Sequence, residues 1–188
     1  MMRLTTKLAI ATTVILWASA FAGIRAGLSD YSPAHLATLR FLIASLVLAA
    51  VAGLRGIGRP GLADLPRLFI VGFMGIPAYN LALNIGEVTV SAGAASFIIN
   101  TAPIFTALLA LRLLGERIAP IGWLGMVVSF SGVGLIAVGD GSGLEFSRGA
   151  LFVLLAALCQ SLYFVLQKPL LKKYSSFQVV SYATWLGT

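Results

Sequence analysis

LAIATTVILWASAFAGIRAGL, residues 8–28, decides the fold. An α-helix needs about 20 apolar residues to cross a hydrocarbon core about 30 Å thick, and this stretch is that long. Working outward, similar runs recur at Ala34–Leu54, Arg67–Gly86, Ser91–Leu113, Ile121–Val138 and Gly149–Gln167, and a seventh begins before Thr188. Short polar stretches separate them, so little chain is left for a water-soluble domain. The fold class expected is an all-α membrane protein, a multi-span helical bundle.

Composition agrees. Charged residues make up 10% of the chain, against about 25% in soluble domains. The 20 glycines suit helices that pack closely in lipid. A net charge of +7 could signal nucleic acid, but the cations lie between apolar runs and form no basic stripe. No nucleic-acid partner is expected. The lone Cys159 cannot form an intrachain disulfide and reads as a small buried apolar residue.

Cations collect in cytoplasmic loops. With the N-terminus cytoplasmic, Arg3, Lys7, Arg55, Arg59, Arg67, Arg112, Arg117, Lys168, Lys172 and Lys173 fall inside, and only Arg25, Arg40 and Arg148 fall outside. The alternation holds through every loop, which fixes helix count and orientation together. Ala18-Ser19-Ala20 looks like a signal-peptide cleavage site, but the apolar pattern runs on to Leu28, longer than the 7–15 residues typical of a signal. The location expected is multi-pass in the inner (plasma) membrane.

The loops carry helix punctuation. Pro66 and Pro120 stand at helix starts, Asp64 and Ser147 are candidate caps, and Gly115 is a stop. Gly139–Gly143 is the longest flexible linker. Beyond it the chain starts again. A gapless shift of 143 residues brings Leu8 onto Leu151, Phe21 onto Phe164, Arg25 onto Lys168, Leu28 onto Leu171, Tyr31 onto Tyr174 and Ser32 onto Ser175. Five helices in a first unit force the second to enter the membrane inverted, the arrangement many secondary transporters use. The expected organisation is a first five-helix repeat over 4–139 and a truncated second repeat over 148–188, so the chain reads as a fragment of a ten-helix protein.

Several stretches carry a family resemblance: Ser91-Ala-Gly-Ala-Ala-Ser-Phe-Ile-Ile-Asn-Thr-Ala-Pro103, Leu114-Gly-Glu-Arg117, Trp123-Leu-Gly125, Ser131-Gly-Val-Gly134, Trp17-Ala-Ser-Ala-Phe21 and Leu39-Arg-Phe41. In this order and spacing the chain resembles the EamA-type family of the drug/metabolite transporter superfamily. The resemblance implies ten helices in two inverted units, an inner-membrane location, and movement of small metabolites. Amino acids, nucleosides, sugars and drugs are all handled in that family, so the substrate stays open.

Polar residues in mid-membrane normally face protein or a watery cavity. On helix 4, Gly93, Ser96, Asn100, Pro103 and Ala107 share a face. Pro103 frees the carbonyl of Ile99, and Asn100 is placed beside it. That face is either a cavity wall or a close-packed helix contact. Helix 3 offers Pro77, Tyr79, Asn80 and Asn84, with Asn84 read chiefly as an interhelical hydrogen-bonding group. Helix 6 offers Ala156, Gln160, Tyr163 and Gln167. Trp17 and Gln160 correspond under the shift and are the best substrate-contacting pair; for Trp17 the alternative is bulky packing. The expected pathway set is therefore Trp17, Tyr79, Asn80, Ser96, Asn100, Pro103, Gln160, Tyr163 and Gln167. Arg40 is expected to pair with Glu87 or to snorkel outward. Glu116 is expected to pair with Arg112 or Arg117 as an architectural residue, and His35 to lie on the surface.

No nucleotide-binding loop is present, and no acid falls in mid-membrane to carry a coupling proton. No catalytic residue, metal or cofactor is expected. The function expected is secondary transport of small metabolites, amino acids or drugs by alternating access, with a small-molecule substrate and the lipid bilayer as partners. Two alternatives stand beside it: a half-transporter that needs a partner chain, as a homodimer or with the missing C-terminal half, and a membrane-embedded lipid-modifying enzyme. With one His, one Cys and no paired acids, the enzyme lacks its chemistry.

Overall fold

A computed structural model describes residues 4–139 and 148–188. The chain forms α1 (Leu4–Gly27), α2 (Pro33–Arg55), α3 (Leu62–Glu87), α4 (Ala92–Leu114), α5 (Pro120–Gly139), α6 (Arg148–Leu171) and α7 (Ser176–Gly187). No strand occurs among the described residues. Helices α1, α2, α3, α4 and α6 are each long and apolar enough to cross a bilayer. Ser147 and the linker after Gly139 lie outside the described residues.

Two spans are interrupted. In α3 the α-helical segments Leu65–Phe73 and Tyr79–Glu87 flank a π-helical turn, Met74–Ala78, that contains Pro77. A proline inside a helix removes one ladder hydrogen bond and crowds the preceding turn, and a π turn absorbs the mismatch. In α4 the segments Ala92–Ile99 and Ala102–Leu114 meet at Asn100-Thr101, just before Pro103. One continuous span over Ser91–Leu113 was expected there; the helix is interrupted instead. Thr101 closes the first segment by donating its hydroxyl to the Ile98 carbonyl at 2.7 Å.

The ends of the helices form two levels. At one level, the Arg25 guanidinium donates to the carbonyls of Glu87, Val88 (3.0 Å) and Val90 (3.4 Å). Gly149, at the start of α6, lies against Gly86, Thr89 and Val90 of the same α3–α4 turn. At the other level, the end of α6 meets the start of α3: the Tyr174 hydroxyl donates to Asp64 at 2.7 Å, and the Gly61 amide donates to Tyr174 at 2.9 Å. The end of α1 and the start of α6 thus share a level, and the two helices run in opposite directions.

α3 and α6 form the centre. A Cβ at Gly86 would lie 2.8 Å from the Gly149 carbonyl oxygen, and one at Gly72 would strike the Ala183 carbonyl of α7. Missing side chains let these backbones touch, the usual route to tight packing in lipid. One apolar cluster joins Ile24, Leu36, Leu83, Ala95, Val153 and Ala157. A second joins Leu68, Val71, Leu170, Val179 and Ala183.

Two turns 143 residues apart make matching hydrogen bonds. Tyr31 donates its amide to Gly27 O at 3.0 Å, and Tyr174 donates to Leu170 O at 2.8 Å. Ser32 and Ser175 then cap α2 and α7 with near-identical backbones, φ/ψ −65/155 and −64/153. Gly115 ends α4 in the left-handed region, as its stop role requires. Asp64 departs from expectation. It makes no cap bond, because its carboxylate is taken by Lys173 at 2.9 Å and by Tyr174.

Candidate functional site

At the interruptions in α3 and α4, side chains donate to backbone carbonyls of the preceding turn, beside the backbone amides that some of those carbonyls also accept. Asn80 donates its amide nitrogen to Ile76 O at 2.9 Å and to Gly75 O at 3.4 Å. Asn100 donates to Ser96 O at 2.8 Å. This corrects the expected placement of Asn100 beside the Ile99 carbonyl: the break at Thr101 turns its side chain back one helical turn.

α6 links the two interruptions. The Ser161 hydroxyl lies 2.9 Å from Ala102 O, at the α4 break, and 2.8 Å from Ala157 O in its own helix. Two residues on, the Tyr163 ring sits directly over Gly75 in the π turn of α3. Tyr163 also packs on Phe164, with ring centroids 5.5 Å apart. Both irregular backbones therefore meet the same stretch of one helix. Non-helical backbone at membrane depth is tolerated where it is buried in protein or lines a cavity.

Two recesses border these breaks. One of about 400 Å³ lies between α4 and α5, lined by Asn100, Pro103, Ile104, Gly122, Met126 and Phe130 among others. A smaller one of about 120 Å³ lies between α2, α3 and α7, where Pro77 and Leu81 face Ala37, Thr38, Phe41 and Thr188. Of the sequence-derived set, Asn100 and Pro103 line the first recess. Tyr79 and Asn80 follow the π turn, and Ser96 is partly buried one turn before the α4 break. Gln160 is buried, and Gln167 lies further down α6, partly buried. Trp17 is 57% exposed and touches α6 at Phe164, centroids 6.5 Å apart. The shift-related residues Trp17 and Gln160 thus differ in burial.

The charged residues depart most from expectation. Glu116 pairs with Lys168 of α6 at 2.7 Å, not with Arg112 or Arg117. Folding brings the end of α6 beside the α4–α5 turn, which no sequence spacing states. Arg40 and Glu87 make no ion pair. Arg40 does not snorkel free either, since its Nη1 is buried without a partner. The guanidinium that meets Glu87 is that of Arg25, and it takes the backbone carbonyl rather than the carboxylate. Asn84 bridges helices as expected, donating to Pro33 O at 2.9 Å. His35 is exposed and sits 3.0 Å from the Ser32 hydroxyl. Among the described residues, no cluster of His, Cys, Asp and Glu could hold a metal.

The family model described as the EamA-like transporter family matches residues 4–138. Uncharacterized transporter YdfC of Bacillus subtilis is 47% identical over 173 residues, 92% of this chain and 56% of the relative. A protein of Streptantibioticus cattleyicolor described as a "probable terminal-alkyne amino-acid exporter" is 44% identical over 180 residues, 96% of this chain and 60% of the relative. An uncharacterized transporter of Archaeoglobus fulgidus is 34% identical over 179 residues, 95% of this chain and 63% of the relative. The chain therefore spans less than two thirds of the length of these relatives. No solved structure matches it.

Proposed function

We infer the activity from one premise: the chain belongs to the EamA-like transporter family. A membrane transporter role follows from that membership and from the apolar spans. The finer reading is a secondary transporter of the inner membrane, N-terminus cytoplasmic, moving a small molecule by alternating access between two inverted units. The observation that carries it is the pair of interrupted spans, α3 and α4, that converge on α6 at Ser161 and Tyr163. Discontinuous helices near the midplane supply unpaired backbone groups to a substrate, which a continuous helix cannot do. The opposite courses of α1 and α6 and the matched caps at Ser32 and Ser175 support the inverted arrangement. On this reading residues 4–139 form one unit and 148–188 begin the next.

For substrate class we propose amino acids with an apolar side chain, leaving the cell. The likeness to the Streptantibioticus protein supports this, as does a pathway rich in side-chain amides and aromatic rings. Such groups bind an ammonium and a carboxylate without a fixed countercharge. Trp17, Asn80, Asn100, Gln160 and Tyr163 are the contact candidates.

The test is transport of propargylglycine, a terminal-alkyne amino acid, by the full-length protein in liposomes. Uptake is expected in wild type, with a raised KM in Asn80→Ala, Asn100→Ala and Gln160→Ala variants that still fold. Unchanged kinetics in all three overturn the site. Absence of transport for a panel of apolar amino acids overturns the substrate class.

A further inference from the structure

Glu87 closes α3, and the sequence places it at the membrane's edge, where a carboxylate is ordinarily solvated. In the fold it is not. Its side chain is 0% exposed, and neither Oε1 nor Oε2 has a hydrogen-bond partner. Two further polar atoms nearby are also buried and unpartnered: the Nη1 of Arg40 on α2, and the Oδ1 of Asn84 one turn earlier on α3. A donor and three acceptor atoms are thus shut away from water without pairing. Buried polar groups without partners are rare and ask for a reason. A bare carboxylate out of water needs either a donor or a proton.

We propose that Glu87 is a proton-binding site of the transport cycle, with Arg40 as the counter-ion that takes the carboxylate when the proton leaves. The proposal rests on the transporter reading above and adds its coupling ion. With the proton on Glu87, the arrangement described here is accounted for: the acid is neutral, and the Arg40 arm has no anion to meet. When the O–H bond breaks, the proton passes to water at the level of the α1–α2 turn and both electrons stay on the carboxylate. Arg40 Nη1–H then becomes its donor. No other bond forms or breaks, and no co-reactant beyond water is needed.

The neighbouring groups fit this use. The charged and titratable groups that act on Glu87 are Arg25 from α1, Arg40 from α2, and Tyr79 two turns back on α3. The first segment of α4, Ala92–Ile99, supplies none. α6 supplies only the exposed Arg148 at its start, and His35 of α2 faces solvent. Arg25 is exposed and directs its Nη1 to three carbonyls of the α3–α4 turn, whereas the Nη1 of Arg40 is buried with no partner, so Arg40 is the counter-ion of the proposal. α2 also forms one wall of the 120 Å³ recess through Ala37, Thr38 and Phe41. A swing of Arg40 toward Glu87 therefore redraws the α2–α3 seam, and proton release becomes a movement of two spans. A proton needs no cavity of its own, which suits so closed a cluster.

The experiment is infrared difference spectroscopy across a pH series on the full-length protein in lipid vesicles. Wild type is expected to show the C=O stretch of a neutral carboxyl that disappears as pH rises and shifts in heavy water. The band should vanish in Glu87→Gln and move in frequency in Glu87→Asp. In Arg40→Gln its titration midpoint should move by about one pH unit or more, the effect of removing a nearby opposite charge, which a purely structural arginine would not do. A band that persists in Glu87→Gln overturns the proposal. If Glu87→Gln does not fold, an unmoved band in Glu87→Asp overturns it equally. Transport of the amino-acid probe is read in the same vesicles. Glu87→Gln should lose accumulation driven by a pH gradient and keep exchange down the probe's own gradient. A titrating band assigned to Glu87, with no probe moved by any protein, sinks the amino-acid reading and leaves the proton site standing. Gradient-driven accumulation unchanged in Glu87→Gln does the reverse.

Discussion

The α1–α2 turn and the α6–α7 turn have one backbone and two chemistries. Each closes with a tyrosine amide donating to the carbonyl four residues back, and each hands over to a serine that caps the next helix. Yet Arg25 spends its guanidinium on backbone carbonyls, whereas Lys168, 143 positions later, spends its ammonium on the Glu116 carboxylate. The first turn continues with Ser29 and Asp30, the second with Lys172 and Lys173, and Lys173 again meets an acid, Asp64. The difference teaches that a turn's path is set by its caps and apolar contacts. On the inverted arrangement proposed above, its charges answer to the side of the membrane it occupies. Caps work the same way in either orientation, so that arrangement would leave backbone geometry unchanged. Charge would change, because only one side of a membrane retains lysine-rich loops.

The largest effect is expected from exchanging that charge. Ser29→Lys and Asp30→Lys, combined with Lys172→Ala and Lys173→Ala, should leave both turns folded and remove much of the bias that orients the chain. A mixed population of orientations is the expected result, read by labelling single cysteines at Tyr31 and Tyr174 from outside intact cells in a Cys159→Ala background. Uniform wild-type labelling would show that loop charge does not orient this protein.

Next comes Arg25. It gathers three carbonyls of the α3–α4 turn and ties α1 to it. Hydrogen bonds from a charged donor are worth about 1.5–3 kcal/mol, and the low end applies because Arg25 is exposed. Arg25→Ala should lower the melting temperature in lipid nanodiscs by several degrees. Arg25→Lys should recover part of it, since all three bonds leave from the single Nη1 and an ammonium also donates from one nitrogen.

The caps should be nearly matched. Ser32→Ala and Ser175→Ala are each expected to cost about 1 kcal/mol. Ser175 should cost slightly more, because Gln178 returns its bond to complete a capping box and α2 has none. Equal melting shifts, measured in the same nanodiscs, would show that the box adds nothing here.

How far the sequence reached follows from the range of each interaction. Helix spans were legible because apolar length is a local property: Ala34–Leu54 was expected and Pro33–Arg55 is found. The likeness of the two turns was legible because both read Tyr-Ser, at Tyr31-Ser32 and at Tyr174-Ser175. Pro77 and Pro103 announced irregular backbone, though not that one span would form a π turn and the other break. Partnerships across the bundle were not legible. Arg25 meets a turn 62 residues away, and Lys168 meets an acid 52 residues away. Glu87 looked like an edge residue because its burial depends on how α1, α2 and α3 converge.

The smallest effect should come from the Lys168–Glu116 pair, and it sharpens the comparison most. Both side chains are 44% exposed, so water screens the attraction despite the 2.7 Å contact. Exposed pairs of this kind contribute about 0.2–1 kcal/mol. A double-mutant cycle with Lys168→Ala and Glu116→Ala should give a coupling in that range that shrinks in high salt, as screening shortens the reach of exposed charges. The same cycle cannot be built at Arg25, whose partners are backbone carbonyls that no substitution removes, and the Arg25→Ala shift should change less with salt. If the Lys168 coupling proves both large and insensitive to salt, the α4–α5 turn is less open to water than its exposure indicates. The two turns would then differ in their acceptors and not in their solvation.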